Sequence, residues 1–204
     1  MERNSIMKRI FIVAFVALMS FSCGPKYMKP QGNEGSEVNF FLKFSETVFR
    51  VTDAGENVCI SPYSAGVALS MLAEGAENQT RAEFLSVLDS CIFGKKDLGD
   101  NDTVIVKSAN SLWIDNDFAI RNKYVDLLSR DFGAFADALD FGDPSTVQAL
   151  NNWCEENTDG KITDMVKELS PQTPLVIANA LYFKAPWETP FPEHSTGKRF
   201  FNGT

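Results

Sequence analysis

Residues 175–187 read LVIANALYFKAPW. From Leu175 to Phe183 the run is almost wholly apolar, with one carboxamide, Asn179, in its middle. A continuous apolar run of this length, followed by the turn residues Ala185-Pro186, predicts a strand over 175–184 that is covered on both faces. A carboxamide in such a strand is costly to bury unless its donors and its acceptor find partners. Asn179 therefore marks either an amide satisfied by nearby backbone or one member of a buried polar cluster.

Outward from this strand, helical and extended patterns alternate. Asp143-Pro144 is a helix start, with an acceptor at the cap and a proline at the first helical position. Val147, Leu150, Trp153 and Cys154 then share one face until Asp159-Gly160 closes the helix. Residues 133–140 and 103–113 read as strands, and 118–130 as a helix with Ile120, Tyr124, Leu127 and Leu128 as its apolar stripe. Residues 92–102 form a polar loop. Thr80-Arg81-Ala82-Glu83 has the spacing of a capping box ahead of a short helix carrying Phe84, Leu85, Val87 and Leu88. Ser61-Pro62 opens residues 64–73, SAGVALSMLA, which are apolar or small nearly all round and predict a helix buried on most sides, stopped near Gly75. Residues 57–60 are strand-like. Before them a helix from Glu37, with Phe41, Phe44, Val48 and Val51 on one stripe, ends ahead of Gly55. Phe200-Phe201-Asn202-Gly203 carries a hairpin signal with no returning strand after it, so the chain is expected to stop in mid-sheet.

The formal net charge of −8 predicts an acidic surface, unsuited to nucleic acid or to anionic membranes. Apolar residues at 44% of the chain, 17 of the residues being phenylalanine, favour a packed core over a disordered chain. Cys59, Cys91 and Cys154 are expected to be buried or half-buried free thiols, because an odd number leaves no full disulfide framework and no CxxC spacing points to zinc. His194, in a polar stretch beside Pro192, reads as an exposed surface residue, and Glu155-Glu156 as a solvated pair. No GxSxG or HExxH motif occurs, and neither Gly160-Lys161 nor Gly197-Lys198 has the upstream glycine of a phosphate-binding loop. These readings weigh against an enzyme and call for no cofactor and no metal.

The N-terminus opens with Arg3, Lys8 and Arg9, followed by the apolar IFIVAFVALM, which has the length of a signal peptide and is too short to span a bilayer. Ser22-Cys23 at its end resembles a bacterial lipoprotein processing site, although Ser20 stands where an aliphatic residue is commoner. The expected organisation is a signal peptide over 1–22, a lipidated Cys23 with a flexible tether over 23–36, and one domain over 37–204. The alternative is an ordinary secretory signal with an unmodified Cys23.

Three blocks, in order, resemble the serpin family of protease inhibitors: NVCISPYSAGVALSMLAEGAENQTRAEF (57–84), LNNWCEENTDGKITDMVKEL (150–169) and LVIANALYFKAPWETPF (175–191). NSLW at 110–113 fits the second strand of that family's large central sheet A, and 175–184 the third. The resemblance implies an α+β fold, the N-terminal half of a serpin, with helices packed around part of sheet A. It implies that Asn179 joins Ser61 and Ser64 in the hydrogen-bonded shutter beneath the sheet, with a histidine partner on a fifth strand that these residues do not include. It also implies that Trp187 stands at the breach, where an inserting loop first enters. Function is implied too: a target serine or cysteine protease attacks a bait loop, which then inserts into sheet A as a new strand. The bait loop falls in the half of the family pattern beyond these residues, so the fragment is expected not to inhibit by itself. A non-inhibitory binding protein of the same fold, or a truncated product without function, are the alternatives. The expected location is the bacterial cell envelope or cell surface, with the membrane reached through the Cys23 anchor alone.

Overall fold

The computed structural model of the chain describes residues 34–52, 58–96, 98–99, 101, 103–195, 197–198 and 200. The segment read as a signal peptide, Cys23, Asn57 and Asn202-Gly203, read as a turn, lie outside the described residues. Among the described residues there are five helices, α1 (Glu34–Val51), α2 (Pro62–Gly75), α3 (Asn78–Val87), α4 (Asn122–Phe132) and α5 (Pro144–Asn157), with three strands, β1 (Ile105–Asp115), β2 (Ala134–Leu139) and β3 (Leu175–Lys184), and a 3-10 turn at Glu193–Ser195.

Strand β1 is the middle of the sheet, whose order is β2-β1-β3. Against β2 it runs parallel, Asn110 beside Ala134 and Asp115 beside Leu139. A parallel pair needs a crossover, and α4 supplies it, ending at Gly133, whose φ of 62° is the left-handed cap that glycine adopts without strain. Against β3 it runs antiparallel, from Ile105 beside Lys184 to Ile114 beside Leu175.

Alternation along the strands sends side chains to two different cores. Leu112 and Ile114 of β1, with Leu175 and Ile177 of β3, join α2 and the aromatic rings of Phe40, Phe93 and Phe132 on one face. Trp113 and Val176 turn to the other face, where Leu150 of α5 and Phe141 cover them. Both layers exist, so β3 is buried at every position from Leu175 to Ala180, as its apolar run predicts. Helix α2 is likewise buried from Ser64 to Ala73. Its acidic C-terminal residue Glu74 opposes the helix dipole. Arg81 of α3 offsets this by pairing with Glu74 at 3.4 Å and donating to the Ala73 carbonyl.

Several boundaries move. α1 starts at Glu34, and its inward anchor is Phe40, at 2% exposure, whereas Val51 stands 77% exposed. The apolar stripe is centred on Phe40, Phe41 and Phe44, and Val51 lies in the last turn, beyond the reach of the core. The Thr80 capping box does not form. α3 begins three residues earlier, with Glu77 rather than Thr80 at the cap position, and the Glu77 carboxylate accepts instead from Arg121 at 2.9 Å. α4 begins at Asn122 rather than Phe118, because Asp115 folds the chain into a turn by accepting from the Asp117 N–H through its side chain and from the Phe118 N–H through its carbonyl. Residues 58–60 form no strand, and Cys59 is exposed rather than buried, having no strand partner among the described residues. Cys91 and Cys154 are buried free thiols, and burial pushes the Cys154 thiol up to about 11.

Gly66 of α2 is where two layers meet most closely. A Cβ there would lie 2.8 Å from the Phe93 ring. That ring is itself wedged between Phe40 and Phe41, at centroid distances of 5.2 and 5.5 Å. Gly66→Ala gains about 1 kcal/mol of helix propensity but overpacks a filled core, at about 1–3 kcal/mol. The expected outcome is a net loss, read as a lower denaturant midpoint with unchanged slope.

Candidate functional site

Asn110 and Asn179 stand directly opposite each other across β1 and β3. They share the face that carries Leu112 and Ile177, the face against α2, and are 7% and 4% exposed. The Asn179 Nδ2 donates to Asn110 Oδ1 at 2.7 Å and lies 3.4 Å from Ser108 Oγ. The Asn110 Nδ2 in turn donates at 2.8 Å to the carbonyl of Phe132. An amide chain thus runs from β3 through β1 to the last residue of α4, using a carbonyl that the helix end leaves without an intrahelical partner. Asn179 is held by side chains across the sheet, so the reading of an amide satisfied by local backbone is corrected.

One atom is left over. Asn179 Oδ1 is buried and accepts from no donor among the described residues. A buried carbonyl oxygen without a donor costs about 1–3 kcal/mol, so the donor side of this amide is satisfied while its acceptor side is unanswered among the described residues.

Ser61 caps α2, its Oγ accepting from the Ser64 N–H at 3.2 Å, with an extended backbone as a cap residue requires. Ser64 is buried at 9% exposure. Both belong to the helix that lies against the Asn179 face of the sheet, but no hydrogen bond among the described residues joins either serine to Asn179. Trp187 lies three residues beyond the end of β3, 71% exposed, with Phe191 edge-on at 5.7 Å. It is therefore no part of the core formed by the described residues. His194 is exposed, as the sequence predicts.

Sequence reasoning missed Asn110 and Ser108. Their signal is present: on the even positions of β1, Ser108 and Asn110 interrupt a face that continues as Leu112 and Ile114. What the sequence lacks is the register that sets Asn110 against Asn179.

These groups are neutral amides and hydroxyls. None stands beside a base that would make it a nucleophile, and among the described residues no cluster of His, Cys, Asp or Glu could hold a metal ion. The arrangement fastens strands to helices. Buried amides thus tie β3 to β1 and to the end of α4, on the face against a helix that is itself buried from Ser64 to Ala73. The family profile described as Serpin (serine protease inhibitor) matches residues 38–204. A serpin-like protein of Thermococcus kodakarensis is 33% identical over 192 residues, covering 85% of this chain and 45% of the relative. Iripin-2 of Ixodes ricinus is 35% identical over 181 residues, 79% of this chain and 46% of its own length. Among solved structures, the thermophilic serpin tengpin in its latent state superposes with a TM-score of 0.73 at 30% identity, over 82% of this chain and 49% of that one. The chain belongs to the serpin family. It spans about half the length of the curated relatives it matches, and the family it joins is one of inhibitors rather than catalysts.

Asn110→Ala is expected to strand both the Asn179 amide and the Phe132 carbonyl and to destabilise the fold by roughly 1–3 kcal/mol. Asn179→Leu is expected to cost less, because it removes the open Oδ1 along with the donor. Equal losses of melting temperature in the two variants would argue against an unpaired Oδ1.

Proposed function

We propose that these residues are the N-terminal portion of an inhibitor of serine or cysteine proteases that acts by inserting its cleaved bait loop into the sheet built here. The observation that carries this reading is the open acceptor of Asn179. An oxygen that finds no donor among the described residues, on a strand whose other edge has no strand partner among them, is where a further strand of the sheet would bring the complementary donor. The resemblance supplies that donor as the shutter histidine. Ser61 and Ser64, on the helix against the same face, would then close the cluster around it. Trp187, exposed past the end of β3, stands where an entering strand would first touch the sheet.

The function follows from the physics of an incomplete sheet. A strand added beside β3 gains a ladder of hydrogen bonds and covers apolar surface, and a protease still esterified to that strand is carried with it. We further propose that Cys23 is lipidated and that the tether expected over 23–36, whose last three residues belong to α1, holds the domain to a bacterial envelope, where it meets proteases from outside the cell. Support for the anchor is the apolar run of about ten residues ending at Ser22-Cys23.

The product of the complete reading frame, incubated with a trypsin-like, a chymotrypsin-like, an elastase-like and a papain-like protease, is expected to form an SDS-resistant covalent complex with at least one of them. Residues 1–204 alone are expected to form none. Clean cleavage of the full product by all four, without complex, would overturn the inhibitor reading. Separately, growth with a labelled fatty acid is expected to label the wild-type chain and not Cys23→Ser; label on both, or on neither, excludes the anchor.

A further inference from the structure

The sheet has a second edge, which the proposed function does not use. β1 takes one side of β2, and no strand among the described residues takes the other. The Leu139 carbonyl accepts from the Asn116 N–H at 2.9 Å, just past the end of β1. Peptide groups alternate in direction along a strand, so those of Phe135, Asp137 and Leu139 address β1. Those of Ala134, Ala136 and Ala138 point away from it. The strand, AFADAL, has neither the proline nor the lysine that commonly blunts such an edge, and the side chains at the three outward positions are methyls.

One outward donor is nonetheless occupied. Asp137 Oδ1 accepts from the N–H of the next residue, Ala138, at 2.9 Å. The carboxylate is folded against the edge. A second copy of β2 fits the same edge. With the two strands antiparallel about an axis through Ala136, Ala134 meets Ala138 of the other copy and Ala136 meets Ala136. All three outward residues then form hydrogen-bonded pairs, and the contact is the same on both copies. An axis through Phe135 or Asp137 pairs only two of the three. In the full register Phe135, 48% exposed and resting on Trp113 at 5.4 Å, lies directly opposite position 137 of the other copy. Asp137 thus opposes the pairing in two ways. It takes the Ala138 N–H that the Ala134 carbonyl of the second copy needs, and it sets a charge against an aromatic ring that pairing would cover.

We propose that the outer edge of β2 is a self-complementary pairing surface for a second copy of this chain, and that the Asp137 carboxylate holds it shut. In the wild type this edge stays unpaired. Without the carboxylate it regains a donor and loses the charge, and one sheet runs through two copies. The pairing closes at two, because each copy brings a single edge of this kind. The inference is independent of the protease reading, whose inserted strand joins the opposite edge of the sheet, beside β3.

Sedimentation velocity on the purified full chain, over a concentration series, reads the pairing. Wild type is expected to be monomeric. Asp137→Val frees the Ala138 N–H and sets an apolar side chain against Phe135. It is expected to form a dimer and nothing larger, with a dissociation constant at least about ten-fold below that of wild type. Asp137→Ala frees the same donor without that contact and is expected to dimerise more weakly, so it carries the measurement should valine disturb the fold. Asp137→Asn keeps an acceptor and loses the charge, and is expected to fall between Asp137→Ala and wild type. Ala136→Pro added to Asp137→Val is expected to restore the monomer. The Ala136 N–H points away from β1, so proline spares the β1–β2 ladder while removing the central donor of the edge. Glu156→Val, the same change on the exposed side of α5, is expected to match wild type. In wild type itself, the Ala138 amide is expected to exchange several-fold more slowly than that of Ala136. Equal exchange of the two amides overturns the hold of the carboxylate. Folded but monomeric Asp137→Val and Asp137→Ala overturn the pairing surface. So does a dimer that survives Ala136→Pro, or association that continues past two copies. A wild-type dimer released by Ala136→Pro alone shows that Asp137 guards nothing. Failure of the full product to trap a protease leaves all these readouts intact and counts against the inhibitor reading alone.

Discussion

An amide taken out of water has to be answered by other polar groups, and in this chain that requirement organises the sheet. Asn179 sits in the driest part of β3, between two layers of side chains, and its nearest possible partner is the residue directly across the ladder. That residue is a second asparagine, which reaches the end of α4. Were the register of β1 and β3 to slip by one residue, both amides would leave each other and every apolar side chain would face the wrong core. The Asn110–Asn179 bond and the two-sided apolar pattern therefore specify one and the same register.

The same arrangement explains the division of labour between the helices. α2 can be small or apolar on nearly every side because it is enclosed, and its glycines let rings approach closely, Phe93 at Gly66, beneath the rings of α1, and Tyr124 at Gly75. α5 covers the other face with a narrower apolar stripe, supplemented by Asn151, whose side chain accepts from the Met165 and Val166 N–H groups and donates to the Val166 carbonyl. One face of the sheet is thus fixed by dense packing and the other by fewer, more polar attachments. Local opening is drawn from regions of the second kind, so the α5 side is where this sheet is expected to open first.

Much of this was legible in the sequence, for identifiable reasons. α2, α5 and β3 were readable because they carry redundant signals: a proline at the first helical position, a side-chain cap at Ser61 or Asp143, and an unbroken apolar run. The structure agrees with those signals, including the cap bonds from Ser64 and Ser145. α3 and the start of α4 were misplaced because tertiary partners took over the residues meant to mark them. Glu77 is engaged by Arg121, and Asp115 ties the turn as well as accepting from the Phe141 N–H. Asn179 announced itself as an oddity in an apolar run. Its partner Asn110 did not, since an asparagine in the mixed segment TVIVKSANSLW offends no local rule, and register is a property of two strands together. Asn151 was hidden for the same reason, being one of two adjacent asparagines on a helix that differ only in which way they point.

The three tryptophans occupy three different environments: Trp113 is 3% exposed, Trp153 is half-buried with its ring edge-on to Trp113 at 6.4 Å, and Trp187 is 71% exposed. Their emission should differ accordingly, blue-shifted for the first, coupled to it for the second, and red and open to quenchers for the third. The chain thus carries its own optical reporters, one pair within the layer between sheet and α5 and one beyond the end of β3. Lifting α5 and covering the far end of β3 would register as separate spectral changes, without any label being added.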